Sequence, residues 1–374
     1  MNYHFDGEEE IPSPALVFYR DQIERNTDGV IALAGNPERL WPHVKTHKTR
    51  EILLMQMEKG ISRFKCATIA EAELCARTGA PHVMMAYPLV GPALGRFAAL
   101  RQNYPQTCFW AIGDDLGQLQ LLSQALAKTP GDPLPLCIDV NMGMDRTGVA
   151  LDSLAEFYTQ ARTIPGLRVR GFHCYDGHLG IENQDERRRA LSSPLEKLLS
   201  IIEDLKKEDL KNAGEEEPLL IMGGSPSFPL HAEHRGVYLS PGTLFVNDYN
   251  YSRKFKDLDF PPAAAVLSRV ISHPTGKTFT LDAGHKALGA DSPLPTRGFL
   301  PSLPQAIPIL HSEEHWVWQL DQGPLPPLGT VVYIIPGHIC PTVALYPQAL
   351  VVSEAPGRQI EYWDIAARNR RIEV

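Results

Sequence analysis

The feature that most constrains this chain is the regular alternation of short apolar runs with helical stretches across its first two-thirds. Ala15 to Tyr19 reads as a strand and Arg20 to Ala34 as a partly amphipathic helix. Trp41 to Lys45 reads as the next strand and Gly60 to Cys66 as another, followed by ATIAEAELCARTGA, where Ala, Glu and Leu favour a helix and Gly79 stops it. The pattern continues through HVMMAYP, a helix around Ala93 to Arg101, CFWAIG, a helix around Leu116 to Ala127, LPLCIDV and a helix beginning near Ser153. Val169 to Cys174, Leu219 to Met222 and Tyr238 to Leu239 extend it. Repeated βα units favour an α/β architecture with a parallel sheet, and their number approaches that of a (β/α)8 TIM barrel, which carries its chemistry at the carboxyl ends of the strands.

Beyond Pro262 the texture changes. AAAVLSRVIS, KTFTLDAG, HWVWQL, TVVYIIP and TVALY read as short β segments separated by Pro and Gly. The expectation is a barrel over residues 15–260 and a mainly β domain over 261–374, which residues 1–14 can complete. Within the barrel range NQDERRRALSSPLEKLLSIIEDLKKEDLKNAGEEEP reads as a solvated charged helix with an acidic loop in GEEEP.

At 374 residues, 43% of them hydrophobic, the chain can bury the cores of two domains. Its 36 Lys plus Arg against 44 Asp plus Glu give a net charge of −8, no global positive field and no case for a nucleic-acid partner. The six cysteines are isolated, which points to a reducing compartment rather than a disulfide framework. The acidic start, MNYHFDGEEEIPSPALVFY, does not look like a signal peptide, and no segment has the apolar length of a membrane span. A soluble, cytoplasmic protein is expected.

Three places carry candidate chemistry. In PHVKTHKT, a strand that persisted would put His43, Lys45 and His47 on one face. Lysine there can point into a barrel mouth, hold an aldehyde cofactor as a Schiff base and act as a base, although most lysines are simply solvated. In LLIMGGSPSF, Gly223, Gly224 and Ser225 follow a strand, and loop amides with a hydroxyl can bind phosphate oxygens. SPGT, with Gly242 and Thr243, can complete that cup, while Pro226 removes one amide donor. In TVVYIIPGHICPTV, His338 and Cys340 are two positions apart, an imidazole and a thiolate suited to half of a zinc site. There is no GxGxxG turn for a dinucleotide and no GxxxxGK[ST] loop for ATP.

The segments PHVKTHKT, DVNMGMDRTG, GFHCYDGH, GGSPSF, SPGTLFVND, DAGHKALGAD and PGHICPTV together resemble the D-serine dehydratase and D-threonine aldolase family of alanine-racemase-like pyridoxal-phosphate enzymes, in the family's order and over nearly the whole chain. The resemblance implies Lys45 as the lysine that carries pyridoxal 5'-phosphate. It implies Arg146 beside the cofactor's phenolic oxygen, with Asp139 as polar support, and Tyr175 as a ring contact, either by packing or through its hydroxyl. His173 and His178 are further polar contributors. Gly223, Gly224, Ser225, Gly242 and Thr243 join the cofactor list on the same ground.

His338 and Cys340 resemble the family's metal ligands, with zinc as the first metal and manganese or magnesium after it. His311, Glu313, Glu314 and His315 are candidates for a further ligand. The implied reaction is dehydration of a D-β-hydroxy amino acid, D-serine first, to pyruvate and ammonia. The alternatives are D-threonine-aldolase-like cleavage to glycine and an aldehyde, D-3-hydroxyaspartate dehydration, racemisation, or a noncatalytic pyridoxal-phosphate carrier. The resemblance also implies a homodimer.

Overall fold

Among the described residues, sixteen strands and the helices between them are laid down by local signals that can be followed along the chain. A computed structural model describes residues 1–129, 131–209, 217–353 and 360–372. In chain order the strands are β1 (Ala15–Tyr19), β2 (Arg63–Cys66), β3 (His82–Met85), β4 (Cys108–Gly113), β5 (Leu134–Asp139), β6 (Leu167–Cys174), β7 (Leu219–Met222) and β8 (Tyr238–Leu239). They are followed by β9 (Ala264–Thr275), β10 (Thr278–Leu281), β11 (Gly298–Phe299), β12 (Ile307–His311), β13 (Trp316–Gln319), β14 (Val331–Pro336), β15 (Gln348–Val352) and β16 (Glu361–Asp364). The chain divides into two units, one of Ile31–Lys45, Leu53–Gly242 and Asn369–Val374, the other of Met1–Val30, Thr46–Ile52 and Thr243–Arg368.

The first is the barrel unit, in which β2 to β8 pair in sequence order, every neighbour parallel. The segment before Lys45 closes the ring. Leu40 bridges Leu239 and His43 bridges Lys65, both in parallel, with Trp41 N–H on the Leu239 carbonyl and Lys65 N–H on the Pro42 carbonyl. Trp41 to Lys45 is therefore not a continuous strand. Val44–Thr46 is a turn of 3-10 helix, which breaks the alternation that would have aligned His43, Lys45 and His47. The barrel interior buries Trp41, Met84, Trp110, Ile112, Cys137 and Ile221.

Local chemistry explains the outer helices. Thr68 caps Ile69–Thr78 by accepting from Glu71 N–H, the Glu71 carboxylate accepts from Ala67 N–H, and left-handed Gly79 ends the helix. At Gly171 the β5–β6 ladder skips a residue, and a Cβ there would lie 2.0 Å from the Leu219 carbonyl, so only glycine lets β7 approach. The charged segment forms the helix Gln184–Asp209, while Gly214 to Glu216 of the acidic GEEEP stretch lie outside the described residues.

The other unit is the β unit. Its sheet runs β12-β13-β10-β9-β1-β15-β16, with β14 pairing both β9 and β11. β1 runs antiparallel to β9 and parallel to β15, and Val17, Leu267, Tyr333 and Leu350 share its core. One expected strand is a helix instead: TVALY lies in the helix Ile339–Leu345. Pro341 falls in the first turn of that helix, where no intrahelical N–H bond is required, and five apolar-leaning residues do not distinguish strand from buried helix. Among the described residues no helix is long and apolar enough to cross a membrane.

Candidate active site

At the carboxyl ends of the barrel strands lies a cavity of about 570 Å³ lined by Lys45, Lys65, Asp139, Arg146, His173 and Tyr175, among others. Lys45 reaches it from the 3-10 turn, half-buried, with its own N–H bonded to His43 Nδ1 at 3.3 Å. Arg146 follows β5, and its guanidinium carbon sits 4.7 Å above the centre of the Tyr175 ring, which follows β6. Exposed His178 instead leans toward Gly143, where a Cβ would lie 3.4 Å from its Nε2.

Behind these, the His173 ring and the Asp139 carboxylate meet at 2.6 Å, both buried. Burial, followed by the Lys65 charge, pushes the imidazole below its usual range despite Asp139. For Asp139, burial works upward, but the hydrogen bonds from His173 and Thr147 and the Lys65 charge outweigh it and hold the carboxyl below its usual range. The pair is thus a neutral imidazole donating from Nδ1 to a carboxylate. Its Nε2 is left buried with no partner among the described residues.

The glycine loops come together. Ser225 Oγ accepts from Gly242 N–H at 3.1 Å, joining the loops after β7 and β8. Gly223 has φ of 71°, and a Cβ on it would lie 2.6 Å from His231; a Cβ on Gly224 would lie 2.8 Å from the Tyr175 ring. The loop is braced by residues that motif reading passed over. Ser227 Oγ donates to Asp176 at 2.6 Å while accepting from Gly224 N–H at 3.3 Å, and His231 Nε2 meets the other Asp176 oxygen at 2.7 Å. Thr243 follows Gly242 as the first residue of the buried 3-10 turn Thr243–Phe245, within the β unit.

Lys65 was also missed. It is almost wholly buried, and its Nζ donates to Ser240 Oγ at 3.1 Å. Burial first, then the Lys45 and Arg146 charges, bring it down to about 7 against the pull of Asp139 and Asp176. Its sequence signal was a lysine at the third position of RFKC, between the fully buried Phe64 and Cys66.

In the β unit, His338 and Cys340 stand at the start of the helix Ile339–Leu345. His338 Nδ1 meets Asp291 Oδ2 at 2.5 Å, Cys340 Sγ donates to Thr46 Oγ1 at 3.4 Å, and Asp248 accepts from the Ile339 N–H between them. Burial would lower His338, but Cys340, Asp291 and Asp248 raise it to about 9. Thr46 is the residue after Lys45. The further ligand candidates are engaged elsewhere: His311 with Arg297 and the Ala283 carbonyl, Glu313 and Glu314 with Lys286 at 3.0 Å each, and His315 exposed. His47 is buried and pushed down to about 3, with its Nδ1 accepting from Thr49 N–H. Among the described residues no three His, Cys, Asp or Glu side chains converge as a metal cluster.

The sequence matches the family model described as "Alanine racemase, N-terminal domain" over residues 19–249 and the one described as "Putative serine dehydratase domain" over 263–352. A D-threonine aldolase of an Arthrobacter species is 28% identical, covering 96% of this chain and 93% of its own length. A D-threo-3-hydroxyaspartate dehydratase of Delftia sp. strain HT23 is 24% identical over 95% of this chain and 97% of its own. The crystal structure of a D-threonine aldolase from Filomicrobium marinum superposes with a TM-score of 0.85 at 26% identity, covering 96% of each chain.

Proposed function

The chain belongs to the alanine racemase N-terminal domain family, and from that premise we propose that it is a pyridoxal-phosphate lyase acting on D-β-hydroxy amino acids, with Lys45 as the cofactor lysine. The observation that carries the reading is the cavity itself: Lys45 shares it with Arg146 and Tyr175, at the strand ends where barrels do chemistry. The residues present suit the cofactor. The Gly223–Gly224 backbone packs so closely on His231 and the Tyr175 ring that neither position has room for a Cβ, and His173 Nε2 is a buried polar atom without a partner among the described residues.

Bound pyridoxal phosphate supplies an electron sink at the substrate α-carbon. Lys45 Nζ would be the attachment point for the cofactor's aldehyde and, as a free amine, the base for the α proton. The Arg146 guanidinium favours an ionised phenolic oxygen. Gly223, Gly224, Ser225 and Gly242, all within the barrel unit, would line the phosphate cup.

His338 and Cys340 fit a divalent metal as an imidazole and a thiolate, zinc before manganese or magnesium. Asp291 engages Nδ1 of His338, and a hydrogen bond between His338 and Cys340 keeps the two donors within reach of each other. With two protein donors, a metal held there would have positions left for water or a substrate oxygen and would supply Lewis-acid chemistry suited to a leaving hydroxyl. The proposed reaction is therefore dehydration, with D-serine as the first substrate, giving pyruvate and ammonia. The aldolase relatives favour a second reading, retroaldol cleavage to glycine and an aldehyde. A homodimer and a cytoplasmic setting belong to the same proposal, the latter supported by six cysteines without a disulfide.

Incubating metal-loaded holoenzyme with D-serine, D-threonine and D-3-hydroxyaspartate, and identifying products, separates these readings. Keto acid and ammonia, with the L-isomers much poorer, support dehydration. Glycine plus aldehyde with no keto acid from any of the three rejects it.

A further inference from the structure

Lys65 crosses the interior of the barrel. Its backbone N–H is bonded to the Pro42 carbonyl, and residues 40–43 lie in turn against β8 and the Pro241 that follows it. To reach Ser240 at the end of β8, the Lys65 side chain must therefore pass over the intervening segment that leads to Lys45. There Ser240 Oγ accepts from Lys65 and lies 2.8 Å from the Gly223 carbonyl, to which it donates. The amide side of the Gly223–Gly224 peptide is held by Ser227, itself anchored on Asp176. One peptide of the glycine loop is thus clamped from both ends, through Lys65 and Ser240 on its oxygen and through Asp176 and Ser227 on its nitrogen.

The charges around Lys65 are not balanced by the protein. Lys45, Lys65 and Arg146 line the cavity, facing Asp139, which His173 already engages. Behind the loop, Asp176 is occupied by Ser227 and His231. Three cationic groups stand against two carboxylates, each already hydrogen-bonded to other protein groups, and the acceptor Lys65 has is a hydroxyl. Burying a lysine with a single protein acceptor among the described residues is costly unless an anion joins it.

We infer that Lys65 is a positioning residue for the cofactor phosphate: through Ser240 it fixes the Gly223–Gly224 peptide, and its ammonium provides the positive charge that the neutral loop lacks. This rests on the pyridoxal-phosphate reading above. A free Lys65 near 7 gains proton affinity when a dianion arrives, so binding of the phosphorylated cofactor takes up a proton on the alkaline side of that value.

The test compares apoprotein binding of pyridoxal phosphate with that of pyridoxal, which has the same aldehyde and ring but no phosphate. In Lys65→Met (K65M), affinity for pyridoxal phosphate should fall roughly tenfold to a hundredfold, that for pyridoxal less than about threefold, and apoprotein stability should match or exceed the wild type. Equal losses for both ligands, or no loss for either, overturn the inference. Should K65M not fold, calorimetry of the wild type at about pH 8.5, in buffers of different ionisation enthalpy, decides instead. Extra proton uptake with pyridoxal phosphate over pyridoxal supports the role, and equal uptake overturns it. A wild type that binds neither ligand refutes the cofactor reading itself, an outcome distinct from failure of the Lys65 role.

Discussion

The two mouths of the barrel differ in a way that cavity size alone would misjudge. The opening at the amino ends of the strands is the larger, about 1140 Å³, and is lined by Arg63, His82, Arg101, Arg168 and Arg170. The opening at the carboxyl ends has about half that volume. At the amino end, the described bonds are local ties: Arg63 to the Glu38 carbonyl and over the Tyr238 ring, Arg101 to the Asp132 carbonyl. At the carboxyl end, buried Lys65 feels the half-buried Lys45, the buried Asp139 and Asp176 and the exposed Arg146 together. A lysine buried among other charged groups and brought down to about 7 marks a reactive site better than volume does.

Lys45→Ala is the largest test of that contrast. It should abolish covalent cofactor attachment and lower turnover by about a thousandfold or more, because it removes both the attachment point and the proposed base. The readout is the absorbance of the bound cofactor together with product formation. A folded variant with an unchanged cofactor spectrum would break the contrast at its root.

The next test is the pH dependence of apoprotein stability. Lys65 is held at about 7 in the folded chain against 10.5 for an ordinary lysine, so the unfolded chain binds more protons between those values. This group's contribution therefore makes the fold more stable as pH rises from about 7 toward 10.5 and changes little below 7, by an amount on the order of a few kcal/mol. Denaturant melts of wild type and K65M across that window should diverge, the wild type gaining relative to the variant. Parallel curves would mean that Lys65 does not titrate as its surroundings dictate.

The smallest effect belongs to the other mouth. Arg168→Gln with Arg170→Gln should leave cofactor affinity and turnover within about twofold, since neither residue lines the carboxyl-end cavity and changes outside such sites are usually mild. A loss of tenfold or more would show that the amino-end opening takes part in function.

The alternation of strand and helix was legible because each barrel strand is an apolar run bounded by helix caps such as Thr68 and Gly79. The stretch before Lys45 was harder. It closes the barrel through isolated bridges, so its residues lack the length and alternation that mark a strand. TVALY misled because a short apolar run carries no period of its own, and its helix starts at His338 without a side-chain cap. Within the site, Lys45, Arg146, Tyr175 and the two glycine loops could be read from motif resemblance. Lys65, Asp176, Ser227, His231 and Ser240 act through partners far away in sequence, such as Lys65 with Ser240 at a separation of 175 residues, which local pattern does not encode.

The most direct measurement is chemical mapping of the cofactor lysine. Protein loaded with pyridoxal phosphate is reduced with borohydride, digested and analysed by mass spectrometry. The account predicts a phosphopyridoxyl group on Lys45. A label on Lys65, on any other lysine instead of Lys45, or no stable label on a protein shown to bind the cofactor, would contradict it.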